Sequence, residues 1–139
     1  MFTKIIMGCM LLFSLLVSPQ RISADDPHIK TVDEYIVEIF GAKAKIAKAV
    51  FIHESNGMKL DAVGYNCYYG GRSTSCKKED RHKAWSVDCG LAQINVKGKV
   101  CPEHLLTLEG NMKAVEKIYK SQGLNAWVSY STGRYKKYL

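Results

Sequence analysis

After Lys4 the chain runs through thirteen almost unbroken apolar positions, Ile5 to Val17, until Pro19, Gln20 and Arg21 break the run. Ile22-Ser23-Ala24 then gives a small-residue exit ahead of Asp25-Asp26. A basic start, an apolar run and a small-residue exit form the pattern of a secretory signal peptide, here residues 1–24. A bilayer-spanning helix needs about 20 apolar residues, so the run is short for a permanent anchor; an uncleaved anchor is the alternative reading.

Beyond residue 30 the pattern turns helical. Thr31-Val32-Asp33-Glu34 has the form of a capping box and opens an apolar-periodic stretch to Phe40, which Gly41 stops. A second helix is expected from Ala42 to Ser55, ended by Asn56-Gly57. Residues 57–88 are rich in Gly, Tyr, Ser and Cys and carry the charge cluster Lys77-Lys78-Glu79-Asp80-Arg81. They read as loops and a small hairpin, with the charge cluster a solvated loop. From Glu109 to Gln122, Met112, Val115, Ile118 and Tyr119 share one helical face, and Gly123 closes the helix. A last helix is expected around Ala126, Trp127 and Tyr130, with one further turn in Arg134–Leu139. Together these elements make a mostly helical α+β fold, and 139 residues suffice for one domain, here residues 25–139.

Charge and cysteines add chemistry to that outline. Removing Lys4 and Arg21 with the signal reduces 20 basic residues to 18, against 13 acidic ones, a net charge of +5. A positive surface suits solubility or an anionic polymer. No nucleic-acid recognition motif appears, so for an exported chain an envelope polymer is the better candidate. Cys9 lies inside the apolar run, which leaves Cys67, Cys76, Cys89 and Cys101. An even count in a small exported domain points to two disulfides. Three pairings are open, and short loops favour Cys67–Cys76 with Cys89–Cys101. A zinc site is the competing reading, although no two of the four have close ligand spacing.

Glu54 is the candidate reactive group. Ala47, Val50, Phe51 and Glu54 fall at i, i+3, i+4 and i+7, so an apolar stripe ends in a carboxyl. Poor solvation there would favour the protonated form, which can donate to a leaving oxygen. The competing reading is a glutamate that swings out to solvent at a helix end. His53 beside it does not begin a zinc-binding HExxH motif, because the second histidine is missing.

Ala49-Val50-Phe51-Ile52-His53-Glu54-Ser55 resembles the first motif of the lytic transglycosylase branch of the lysozyme-like superfamily, in which a helix ends in Glu-Ser. Gly90-Leu91-Ala92-Gln93-Ile94-Asn95 resembles its Gly-Leu-Met-Gln-Ile motif. Asn111-Met112-Lys113-Ala114 resembles the Asn-centred start of the next family helix, and Tyr130-Ser131-Thr132-Gly133 its Tyr-Asn-Ala-Gly. The resemblance runs from about residue 31 to the C-terminus. Ala92 and Ser131 depart from it, and the Cys-rich insert between Gly64 and Cys89 is longer than in many relatives.

The resemblance implies a lysozyme-like fold and cleavage of peptidoglycan glycan strands, with Glu54 as acid and then base and with no metal or organic cofactor. The muramic 6-hydroxyl closes on the anomeric carbon, and the product ends in 1,6-anhydromuramic acid. It also implies sugar-facing roles for Ser55, Gln93, Asn95 and Tyr130. Competing roles are a helix-end hydroxyl for Ser55, a loop-holding amide for Gln93 and core packing for Tyr130. Trp85 and Trp127 are candidates for sugar stacking or for the core.

Ser86-Val87-Asp88-Cys89-Gly90-Leu91-Ala92-Gln93-Ile94-Asn95 also resembles the segment of animal-type lysozymes that carries their second carboxylate, so Asp88 is a second candidate; the alternative is a turn aspartate that caps backbone amides. The competing functions are a hydrolytic muramidase, a non-catalytic wall-binding component of an envelope-spanning apparatus, and a disulfide-scaffolded inhibitor or toxin. The expected partners are peptidoglycan strands and a secretion or conjugation machinery, without nucleic acid. The expected state is a monomer in the periplasm or outside the cell.

Overall fold

Thr31 starts the first helix as its pattern demands. In the computed structural model, which describes residues 28–139, the Thr31 hydroxyl accepts the Glu34 N–H at 3.3 Å and Glu34 Oε2 accepts the Thr31 N–H at 2.7 Å. This reciprocal cap opens α1, Val32–Phe40. The expected signal peptide, residues 1–24, lies outside the described residues.

The Thr31 N–H, His28 and the Thr31 hydroxyl together lower the Glu34 pKa from 4.5 to about 2. The carboxylate form therefore favours the fold above pH 4.5, and that contribution is lost as pH falls toward 2. Glu34→Gln should flatten the stability–pH curve between those two values in chemical denaturation at several pH values. An unchanged acid slope would show that the cap does not couple to folding.

Gly41, at φ 52°, re-aims the chain into a 3-10 turn over Gly41–Lys43. The second helix, α2, therefore spans Ala44–Glu54, not Ala42–Ser55. Ser55 is its cap, and Asn56, Gly57 and Met58 follow with positive φ, so the helix cannot continue.

Four strands follow: β1 Val63–Tyr69, β2 Arg72–Ser75, β3 Ser86–Cys89 and β4 Ile94–Lys97. They form one antiparallel sheet in the order β2-β1-β3-β4. The expected small hairpin is β1–β2, turned by Gly70 and Gly71 at φ 57° and 78°, as a type I′ turn requires. The sheet extends beyond the one expected hairpin, since β3 and β4 form a second. Cys67–Cys76 staples the first hairpin, and Cys89–Cys101 ties β3 to the segment ahead of a 3-10 turn at Glu103–Leu106. Both bonds follow the short-loop pairing, and with all four sulfurs bonded the zinc reading falls. Two disulfides fit an oxidising, exported setting. Among the described residues no helix is long and apolar enough to cross a membrane.

The sheet has two different faces. Cross-strand partners share a face, so Val63, Cys89 and Ile94 line up, as do Tyr65, Val87 and Val96. This apolar face joins the core with Phe51 and Val50 of α2 and with Met112 and Val115 of the long helix that follows. Helix α3 spans Leu108–Gln122, capped by the Thr107 hydroxyl and closed by Gly123. The expected last helix is shorter than its pattern suggests. Ala126 ends a 3-10 turn, Trp127 is extended, and only Val128–Ser131 form α4. The C-terminal Arg134–Tyr138 makes the expected extra turn, which packs on α2.

Candidate functional site

Glu54 ends a helix face whose Ala47, Val50 and Phe51 are fully buried. Its own side chain is half-buried, and Oε1 accepts the backbone N–H of Ser129 at 3.2 Å. It therefore does not swing out to solvent. The start of α4 holds it against a groove of about 380 Å³.

The opposite wall is the polar face of the sheet. Gly64 pairs with Asp88, Asn66 with Ser86, and Asp88 with Asn95, so these residues share the face that the core does not use. Asp88 Oδ2 accepts the Asn66 amide at 2.8 Å, and Oδ1 accepts the Asn95 amide at 2.7 Å. Both amides also donate to the buried Ser86 hydroxyl, at 3.3 and 3.0 Å. Asp88 is thus a strand residue whose carboxylate is clamped by two side-chain amides, not a turn aspartate capping backbone. Gly64 keeps the neighbouring space open: a Cβ there would lie 3.0 Å from Gln93 Oε1 and 3.4 Å from Asp88.

The turn between β3 and β4, Gly90-Leu91-Ala92-Gln93, closes the end of the groove. Leu91 and Ala92 are fully buried, which anchors the turn in the core. Gln93 adopts φ 51°, a conformation a residue with a side chain takes up only when its surroundings impose it. Its Nε2 donates to the carbonyls of Gly90 (2.9 Å) and Ala62 (3.3 Å). Two carbonyl partners fix the amide orientation and leave Oε1 as the acceptor available to a ligand. The amide donors therefore hold the loop, while the residue lines the groove.

Two side chains support the turn from within. Asn111, fully buried, donates to the Cys89 and Leu105 carbonyls at 3.0 and 2.7 Å and accepts the Ala92 N–H at 3.2 Å. The Trp127 indole N–H donates to the Ala92 carbonyl at 2.9 Å. Trp127 is thus a core residue that links the turn to α4, the element that holds Glu54.

Of the residues read from sequence, Glu54, Asp88, Gln93 and Asn95 line the same groove. Ser55 does not. It is buried, its hydroxyl donates to the Phe51 carbonyl at 3.2 Å and accepts the Lys59 N–H at 3.0 Å, so it serves the helix end. Nor does Tyr130 reach the groove wall; it stacks on Tyr135 at 5.3 Å, and its neighbours Trp127 and Val128 form the lining instead. Trp85, a candidate for sugar stacking, joins the lining, and so do Asn66 and Ser73, which the sequence does not single out. The signal for Asn66 is its two-residue spacing from Gly64 on one strand face, readable only once the strand is known.

A larger hollow of about 590 Å³ lies along the start of α3. Its carboxylate, Glu109, is exposed and paired with Lys113 at 2.6 Å, so it offers no free acid. The candidate groups Glu54, Asp88, Gln93 and Asn95 meet in the smaller groove. No protein-family model, no curated protein and no solved structure matches this chain.

Proposed function

We propose that this chain is a lytic transglycosylase that cuts the β-1,4 bond between N-acetylmuramic acid and N-acetylglucosamine in peptidoglycan. The observation that carries this reading is the placement of Glu54. A carboxyl at the end of a buried helix face is oriented by a backbone N–H and opens into a groove lined by the amides of Asn66, Gln93 and Asn95, the Ser73 hydroxyl and the Asp88 carboxylate. Such a groove matches an uncharged sugar backbone rich in hydroxyl and acetamido groups. The order of the Glu-Ser, Gly-Leu-Ala-Gln-Ile and Asn-centred segments supports the same class.

Glu54 donates its proton to the glycosidic oxygen as the bond to the anomeric carbon breaks. The resulting carboxylate then takes the proton of the muramic 6-hydroxyl, whose oxygen closes on that carbon. No water is consumed, and Glu54 ends protonated as it began. Gln93 Oε1 accepts an acetamido N–H of the sugar. Asp88, whose two oxygens accept the Asn66 and Asn95 amides, serves as the electrostatic partner of the oxocarbenium-like centre.

The amide clamp on Asp88 also favours a second reading, a retaining muramidase in which Asp88 is the nucleophile and water completes the reaction. Mass spectrometry of digested peptidoglycan separates the two readings. The lead requires 1,6-anhydromuramic ends, and reducing ends in their place would sink it in favour of the muramidase. Intact strands after prolonged incubation would defeat both readings and leave the non-catalytic roles.

A further inference from the structure

Most aromatic contacts in this fold are internal, such as Phe40 on Phe51 and Phe51 on Trp127. Trp85 differs. It is half-exposed, stands outside the core cluster and stacks on Tyr68 with centroids 5.1 Å apart and planes within 25°. Tyr68 is itself 60% exposed. Leaving two large rings at the surface forgoes the gain of burying them, so their fixed arrangement calls for a reason.

Several contacts fix it. The Trp85 N–H donates to the Asn66 carbonyl at 3.0 Å, and its carbonyl accepts the Gly98 N–H at 2.9 Å. The indole N–H donates to Ser73 Oγ at 3.3 Å. Ser73 lies opposite Tyr68 in the β1–β2 register, inside the hairpin that Cys67–Cys76 staples. Trp85, Ser73 and Asn66 line the Glu54 groove, whereas Tyr68 does not. Tyr68 thus backs the indole, and the indole forms the wall.

We infer that Trp85, backed by Tyr68, is a stacking platform for a pyranose ring of the glycan strand, set along the groove from the bond that Glu54 attacks. The inference rests on the reading that this groove takes a β-1,4-linked N-acetylhexosamine polymer. A β-linked pyranose carries its hydroxyl and acetamido groups around the rim and presents C–H faces, which suit an aromatic wall. Neutral Asn66 and Ser73 flank that wall and match the rim. Glu54 and Asp88 in the same groove disfavour a phosphate-bearing polymer.

Initial rates of peptidoglycan clearing across substrate concentrations test the platform in the full chain. Stacking acts equally on bound substrate and transition state, so it should appear in KM. In Trp85→Ala the apparent KM should rise about tenfold, the scale of one aromatic contact, with kcat nearly unchanged. Trp85→Tyr should recover most of the loss. The NMR signal of the buried Trp127 indole N–H reports that each variant is folded. If Trp85→Ala matches wild type, or Trp85→Tyr is as impaired as Trp85→Ala, the platform is overturned and the cleavage reading stands. If wild-type protein clears no peptidoglycan, the cleavage reading falls and the platform falls with it.

Discussion

Glu54→Gln is expected to stop the clearing of a peptidoglycan suspension, with the initial rate down about a hundred- to ten-thousandfold, the range that general acid–base catalysis supplies. The substitution isolates proton transfer from positioning. A glutamine keeps an oxygen where Oε1 now accepts the Ser129 N–H at 3.2 Å, so the link between α2 and α4 survives. The buried face behind it is untouched, and the thermal unfolding midpoint should barely move. Glu54→Asp makes the complementary test: it keeps the acid but withdraws it by one methylene from both Ser129 and the groove, and it should lose most activity as well. Clearing by Glu54→Gln at the wild-type rate would remove Glu54 from the mechanism.

Glu54 was legible because a helix repeats over three turns. Ala47, Val50 and Phe51 mark a buried face over enough residues for the fourth position to stand out, and the capping box at Thr31 and the glycine stops bounded the helices in the same way. The other wall of the groove was hidden for the converse reason. Strands β3 and β4 have four residues each, and β3 is buried on nearly every position, so no alternation betrays it. Without those strands the shared face of Asn66, Asp88 and Asn95 could not be assembled, and Asp88 could be read as a turn residue. Ser55 shows the opposite limit. Adjacency to Glu54 in sequence suggested adjacency in the site, but consecutive residues at a helix end point about 100° apart, and Ser55 turns to its own backbone. The last helix failed for want of length: Trp127 breaks it, and what holds Trp127 is a hydrogen bond to Ala92, thirty-five residues away.

Gly90→Ala should be among the most destabilising single changes in the chain, by about 3–5 kcal/mol. Two costs add. Gly90 sits at φ +71°, a left-handed conformation that costs a residue with a side chain about 1–2 kcal/mol. A Cβ at that position would also fall 2.2 Å from Asn111 Nδ2 and 2.4 Å from the Leu105 carbonyl oxygen, so the Asn111 amide must move. That amide is buried and bonded to Cys89, Leu105 and Ala92, and each backbone group it abandons costs about 1–3 kcal/mol when left unpaired. Gly70→Ala separates the two costs, because Gly70 has φ +57° with no atom within 4 Å of an added Cβ, and it should lose only the backbone part. Denaturant unfolding of both variants measures the difference. The same displacement should slacken the turn that presents Gln93, so clearing activity should fall even in the folded fraction of Gly90→Ala. Equal losses in the two variants would mean that Asn111 yields without cost, and that the turn is held by the burial of Leu91 and Ala92 instead.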